Sequence, residues 1–134
     1  MRARTGRIAI PIALIVAAAC LSCAGFFERR VDSPETNDGI VVFRFRSPSA
    51  RTVQVAGDWP GNNWGRGDAE SGEVLVGLMR ATGDEGVWEI EIALEPGRYR
   101  YRFLVNESLW MLDPENPRIV DDGRGGKANL LVMP

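Results

Sequence analysis

Trp59 and Trp64 stand in the stretch GDWPGNNWG (57–65), among glycines, asparagines and a proline. Those neighbours are turn formers, and turns lie on surfaces. An indole presented there offers a flat, polarisable face. Such a face takes the apolar C–H side of a sugar ring, or stacks on a nucleobase. Trp110, in NESLWMLDPENP, is a short step between two turns and is open to the same use. Arg102, in RYRYRFLVN (98–106), adds a planar fork of donors suited to sugar hydroxyls. Each has a plainer reading. Trp64 can fold back over the end of a sandwich, and Arg102 can sit on a solvated face or in a cross-strand salt bridge worth little.

Charge decides between sugar and base. Three of the 16 Lys plus Arg precede an N-terminal apolar run, which leaves 13 against all 18 Asp plus Glu, a net of about −5. Phosphate backbones want a basic face, which argues against a nucleic-acid partner, and none is expected. The chain has no histidine, which removes the commonest general base and metal ligand. Neither a metal nor a cofactor is expected, and no catalytic set is found. Asp113 and Glu115 in DPENP could be imagined as a glycosidase pair, but prolines on both sides make a rigid turn the better account. GRGD (65–68) contains a short cell-adhesion tripeptide that recurs by chance. NES (106–108) fits a glycosylation triplet.

Arg2, Arg4 and Arg7 lead into the apolar run Ile8–Ala19, which ends in CLSCAG. A positive start, a short apolar stretch and small residues make an export signal. An uncleaved anchor is the rival, although Pro11, Ser22 and Gly25 weaken a span that needs about 20 mainly apolar residues. The only two cysteines, Cys20 and Cys23, stand at this end, so no disulfide or thiolate metal site can form further on. The segment resembles the lipobox of bacterial lipoproteins, with Cys23 as the lipidated residue and Cys20 as the alternative. Lipid would tether the protein to a membrane without spanning it. The expected layout is a signal peptide over 1–22, a lipidated, polar tether over 23–38 and a folded domain over 39–134. The expected location is a bacterial membrane, on its periplasmic or cell-surface face.

The elements that must carry Trp64, Arg102 and Trp110 are strands. IVVFRFR (40–46) alternates Phe43 and Phe45 with Arg44 and Arg46, the period-two mark of a half-buried strand. ARTVQVAG (50–57) alternates through Val53 and Val55, and EVLVGLMRA (73–81) is a less regular candidate. VWEIEIAL (87–94) is expected to bury Trp88, Ile90 and Ile92. EPG then turns into 98–106, where Tyr99, Tyr101, Phe103 and Val105 share one face and Arg98, Arg100 and Arg102 the other. LWML (109–112) and ANLLVM (128–133) complete about seven strands with no helix. Roughly 96 residues with turn signals every 8–12 is the pattern of an all-β, immunoglobulin-like sandwich.

VQVAGDWPGNNWG, GVWEIEIALEPGRYRYRFLVN and LWMLDPENPRIVDDGRGGKANLLV occur in the order seen in carbohydrate-binding module family 48, which the chain resembles from Gly39 onward. That family includes the glycogen-binding domain of the AMP-activated kinase β subunit and the early-set domains of isoamylases and branching enzymes. The resemblance implies an early-set sandwich that in many members holds α-1,4-glucans. Trp64 after GNN matches a stacking tryptophan after FNN in the glycogen binders. Trp110 matches their second tryptophan with one extra residue before it, and Arg102 replaces a sugar-contacting lysine. Near the C-terminus the glycogen binders carry a leucine, a threonine and an asparagine before a second asparagine. Those places hold Arg124, Gly126 and Ala128 here, with Asn129 kept as the second asparagine. Trp59 and Pro60 are additions to the loop, supplying a substitute surface or stiffening it.

The resulting expectation is a non-catalytic module that binds an α-glucan polysaccharide or oligosaccharide through Trp64, Arg102, Trp110, Asn129 and Trp59. The rival is an early-set docking module for a protein partner that has lost glucan binding. Lost C-terminal contacts, at about 0.5–1.5 kcal/mol for each missing hydrogen bond, favour that rival.

Overall fold

Alternation along the strands builds two antiparallel sheets in the computed structural model, which describes residues 33–67 and 76–134. The signal peptide, Cys20, Cys23 and most of the expected tether lie outside the described residues. Among the described residues there is no helix, and none therefore that is long and apolar enough to cross a membrane.

The first sheet runs β1 (Glu35–Asn37), β2 (Ile40–Arg46), β5 (Val87–Ala93), β4 (Arg80–Ala81). The second runs β3 (Val53–Gly57), β6 (Gly97–Val105), β9 (Lys127–Met133), β8 (Ile119–Asp121), with β7 (Leu109–Met111) joined to β6. The nine-residue β6 is the backbone of this sheet. One edge pairs with β3 through Val53↔Val105 to Gly57↔Tyr101. The other edge is shared, its first half with β9 and its last three residues with β7, where Leu104 faces Trp110.

The inner faces meet through the alternating residues. Val41, Phe43 and Phe45 of β2 pack against Tyr101, Phe103 and Val105 of β6, with Val53, Val55, Leu131 and Met133 filling the layer. Phe43 meets Tyr101 edge-on at 4.8 Å between ring centres, and Phe45 lies 4.6 Å from Phe103. Such pairs add about 0.5–1.5 kcal/mol beyond the area they bury. Trp88, Ile90 and Ile92 share the core-facing side as expected but are half-buried, packing against the cluster from its margin. Trp88 keeps its polar end satisfied by donating Nε1–H to the Ser47 carbonyl at 3.0 Å.

Three strands depart from the sequence reading. Of the described part of the 73–81 candidate only Arg80–Ala81 forms a strand, β4. The other two, β1 and β8, are additions. β1 falls inside the segment expected to be a tether, and Ser33 beside it is buried. The folded unit therefore starts before Gly39. Glu35, Thr36 and Asn37 are all exposed, so the strand rests on its pairing with β2 and leaves no apolar period to read. β8, the other addition, is also three residues long.

DPENP closes the sandwich with a buried polar network. Tyr101 donates its hydroxyl to Asp113 Oδ2 at 2.7 Å, and Asn116 Nδ2 donates to that hydroxyl at 3.0 Å. Asn129, fully buried, accepts from Asp113 N at 2.8 Å and donates to the Asp113 and Asn116 carbonyls. Burial pushes the Asp113 carboxyl above the ordinary aspartate value, against the lowering effect of the Tyr101 hydroxyl. These groups hold the turn; Asp113 spends its oxygens on Tyr101 and on the Glu115 N–H.

Candidate functional site: a tryptophan-flanked arginine cleft

Arg102 is central on the outer face of the second sheet. Its three neighbours on that face of β6 have different fates. Arg98 is exposed, Leu104 is half-buried opposite Trp110, and Arg100 donates both its N–H and Nε to the Asp58 carboxylate at 2.8 Å. Arg100 thus fastens the 58–67 loop to the sheet. Arg102 instead reaches into a cleft lined by Trp64, Arg66, Trp110, Asp122 and Arg124.

The loop that carries Trp64 is pinned by one buried asparagine. Asn62 Oδ1 accepts from Gly57 N and Gly65 N, both at 2.8 Å, and Nδ2 donates to the Val55 carbonyl at 3.1 Å. Gln54, pointing away from the core on β3, donates to the Gly65 carbonyl from beneath. Trp64 N–H donates to the Gly57 carbonyl at 2.7 Å. Within this frame Asn63 and Trp64 both take left-handed backbone, with φ of 44° and 56°. A bulky residue pays roughly 1–2 kcal/mol to sit there. The clamp offsets that strain and turns the indole outward over the sheet rather than into the core.

Trp59, five residues earlier in the same loop, goes the other way. It is 4 % exposed and stacks on Phe43 at 5.6 Å with 17° between the rings. Gly57 permits this: a Cβ there would collide with the Trp59 ring. The expectation that Trp59 supplies binding surface is therefore corrected; it is a core residue. Asn129 is corrected likewise. It points inward with Leu131 and Met133 and has its amide committed to the DPENP turn.

Trp64, Arg102 and Trp110 do converge. The Arg102 guanidinium carbon lies 5.5 Å from the Trp64 ring centre and 4.9 Å from that of Trp110. Both are cation–π distances. Trp110 is 43 % exposed, Trp64 half-buried. Arg102 Nη2 pairs with Asp122 Oδ2 at 3.3 Å, while its Nε is buried with no hydrogen-bond partner. The cleft between the rings holds about 50 Å³. That is far below the ~300–1,000 Å³ of a pocket that encloses a small molecule, so a ligand must lie across it.

Asp122 was not picked out from the sequence. It heads an Asx turn, its Oδ1 accepting from Arg124 N at 2.7 Å and Gly126 N at 3.0 Å. Those two N–H groups, and then the charges of Arg102 and Arg100, hold its carboxyl below the ordinary aspartate value. Gly126 leaves the room required, since a Cβ would come within 2.6 Å of Asp122 Oδ2. The signal was present in DDGRGG: an aspartate before a glycine-rich turn commonly bonds the backbone two residues on. Of the three positions that depart from the glycogen binders, Arg124 lines the cleft, Gly126 supports Asp122 and Ala128 is buried. Arg66 also lines the cleft and was not expected there.

Among the described residues no group of histidine, cysteine, aspartate or glutamate could hold a metal ion. A protein from Salmonella typhimurium described as an α-amylase matches with 20 % identity and a TM-score of 0.50, over 75 % of this chain and 14 % of that one. A pullulanase from Bacillus acidopullulyticus matches with 18 % identity and a TM-score of 0.50, over 75 % of this chain and 11 % of that one. The chain spans a small part of either enzyme, and at these identities the likeness speaks for the fold. Among curated proteins none matches. The family model for carbohydrate-binding module 48, the isoamylase N-terminal domain, matches residues 29–115, more than half of the sequence. With its early-set sandwich and two indoles on an outer face, the chain belongs to the carbohydrate-binding module 48 family.

Proposed function

We propose that the module binds an α-glucan across the cleft, with Trp64 and Trp110 under successive hexose rings and Arg102 donating to hydroxyls. The observation that carries this reading is the convergence of both indoles on one guanidinium. Family membership supports the ligand class, because the matched domain is the one that precedes isoamylase. A stack worth about 1 kcal/mol at each ring and a hydrogen bond or two of about 0.5–1.5 kcal/mol sum to about 2.5–5 kcal/mol. That corresponds to weak binding, in the millimolar range and at best near tenths of a millimolar. The role is attachment rather than turnover: the cleft offers stacking faces and donors, and the one carboxylate in it is tied to two backbone N–H groups.

Native gels containing glycogen, amylose, pullulan or a β-glucan test the reading with the full chain. Retardation by the α-glucans, lost in Trp64→Ala and in Trp110→Ala, is the expected result. Unchanged mobility in every gel removes glucan binding and leaves a protein partner to be sought.

The N-terminal sequence supports export and attachment to a membrane through lipid at Cys23, with Cys20 as the alternative site. Labelled palmitate is expected in the intact chain and not in the Cys20→Ala/Cys23→Ala variant. Label in neither contradicts lipidation.

A further inference from the structure

The cleft carries more positive charge than a neutral glucan needs. Three guanidinium groups line it, from Arg66, Arg102 and Arg124, against a single carboxylate, Asp122. Asp122 is already committed: its side chain is 5 % exposed, paired with Arg102 and bonded to two backbone N–H groups. Arg66 and Arg124 are exposed at the rim, and among the described residues neither side chain has an ion pair. Arg51, Arg98 and Arg118 are likewise exposed and without an ion pair among the described residues, but none of them lines the cleft. Five other cations are neutralised locally. Arg44 pairs with Glu35 and Glu89, Arg46 with Glu85, Arg80 with Glu89, Arg100 with Asp58 and Lys127 with Asp121. The whole chain is net −2, so this local excess runs against the average composition. Arg124 also lies beyond the residues matched by the family model.

We propose that the preferred ligand is an anionic saccharide, a hexose chain bearing phosphate or carboxylate groups, gripped by Arg66 and Arg124 while its rings rest on Trp64 and Trp110. This rests on the sugar-binding reading above and narrows it. Arginine suits the task because its fork of N–H donors matches phosphate or carboxylate oxygens two at a time. A neutral glucan offers both forks uncharged hydroxyls only. An anionic group beside the stacked ring gives each a partner of opposite charge.

Three probes separate the outcomes on the full chain: maltoheptaose, its phosphate ester, and a glucuronate oligosaccharide of similar length. Affinities are compared in about 0.01 M and about 1 M salt, where the screening length falls from about 30 Å to about 3 Å. The phosphorylated chain is expected to bind roughly tenfold more tightly than the neutral one at low salt, the ratio falling toward one at high salt. The Arg66→Gln/Arg124→Gln variant is expected to erase the ratio, and the Arg66→Lys/Arg124→Lys variant to keep much of it, both with the melting temperature of the parent. A larger gain for the glucuronate chain assigns the charge to carboxylate rather than phosphate. Equal binding of charged and neutral chains at low salt, or a ratio that survives in the glutamine variant, overturns the anionic preference and leaves neutral glucan binding standing. Binding of none of the three overturns both.

Discussion

Arg102 and Asp122 form an ion pair, Nη2 to Oδ2 at 3.3 Å, at the floor of the cleft between two indoles. The carboxylate is fixed by backbone N–H groups, so the pair sets the guanidinium's direction rather than merely balancing its charge. The strand places Arg102, the Asx turn aims it, and the loop brings Trp64 to its side.

Asp122→Asn isolates that aiming. The asparagine keeps an Oδ1 for both backbone N–H groups, so the turn persists while the ion pair is lost. Glucan binding is expected to weaken by roughly three- to tenfold, which corresponds to about 1 kcal/mol, with little change in melting temperature. Calorimetric titration checks this, and an unaltered dissociation constant would show that Asp122 does not position the arginine.

The two buried aspartates are expected to titrate on opposite sides of the ordinary value. The folded-state pKa of Asp122 is depressed, so its contribution to stability is present above the unfolded-state value and is lost as pH falls through the folded one. That of Asp113 is raised, so its contribution is present below the unfolded-state value and is lost as pH rises through the folded one. Carboxyl carbon chemical shifts followed against pH measure both. Finding Asp113 below Asp122 would contradict the burial assigned to the DPENP turn.

Asn62→Ala removes three buried hydrogen bonds at once. Each stranded backbone group costs about 1–3 kcal/mol where water cannot replace the partner, so a loss of about 2–4 kcal/mol is expected. Below its lowered melting temperature the variant should also bind glucan more weakly, although Asn62 does not line the cleft. Retained affinity would mean that Trp64 holds its left-handed turn unaided.

Trp59 and Trp110 should trade roles under mutation. Trp59→Ala empties a site stacked on Phe43 and is expected to cost about 3–5 kcal/mol of stability. Trp110→Ala, at an exposed position, should cost under about 1 kcal/mol while abolishing retardation in glycogen gels. Denaturant melts of the two variants decide it, and equal costs would be inconsistent with the burial of Trp59.

The strands that carry strong alternation were legible. In β6 the tyrosine–phenylalanine face and the arginine face are both where period two puts them, which fixed Arg102 on the outer surface. β1 and β8 were not legible, since three residues contain no period and β1 buries none of its side chains. The loop was read in part. Turn composition announced that the 57–65 stretch leaves the sheet, but which indole returns to the core is decided by space beside Gly57 and the face of Phe43, a long-range contact. Asn129 was misread although its period was available: two and four residues on are Leu131 and Met133, both inward. Arg66 and Arg124 carried no local mark, because only the folded sheet brings residues 58 apart to one cleft.

The indole N–H resonances of the four tryptophans provide the most direct measurement. Titration of the full chain with a malto-oligosaccharide, with resonances assigned by single substitutions, reports each ring separately. The signals of Trp64 and Trp110 are expected to move together along one saturating curve, while those of Trp59 and Trp88 stay in place. Movement of neither Trp64 nor Trp110, or a response confined to Trp59 and Trp88, would contradict glucan binding in this cleft.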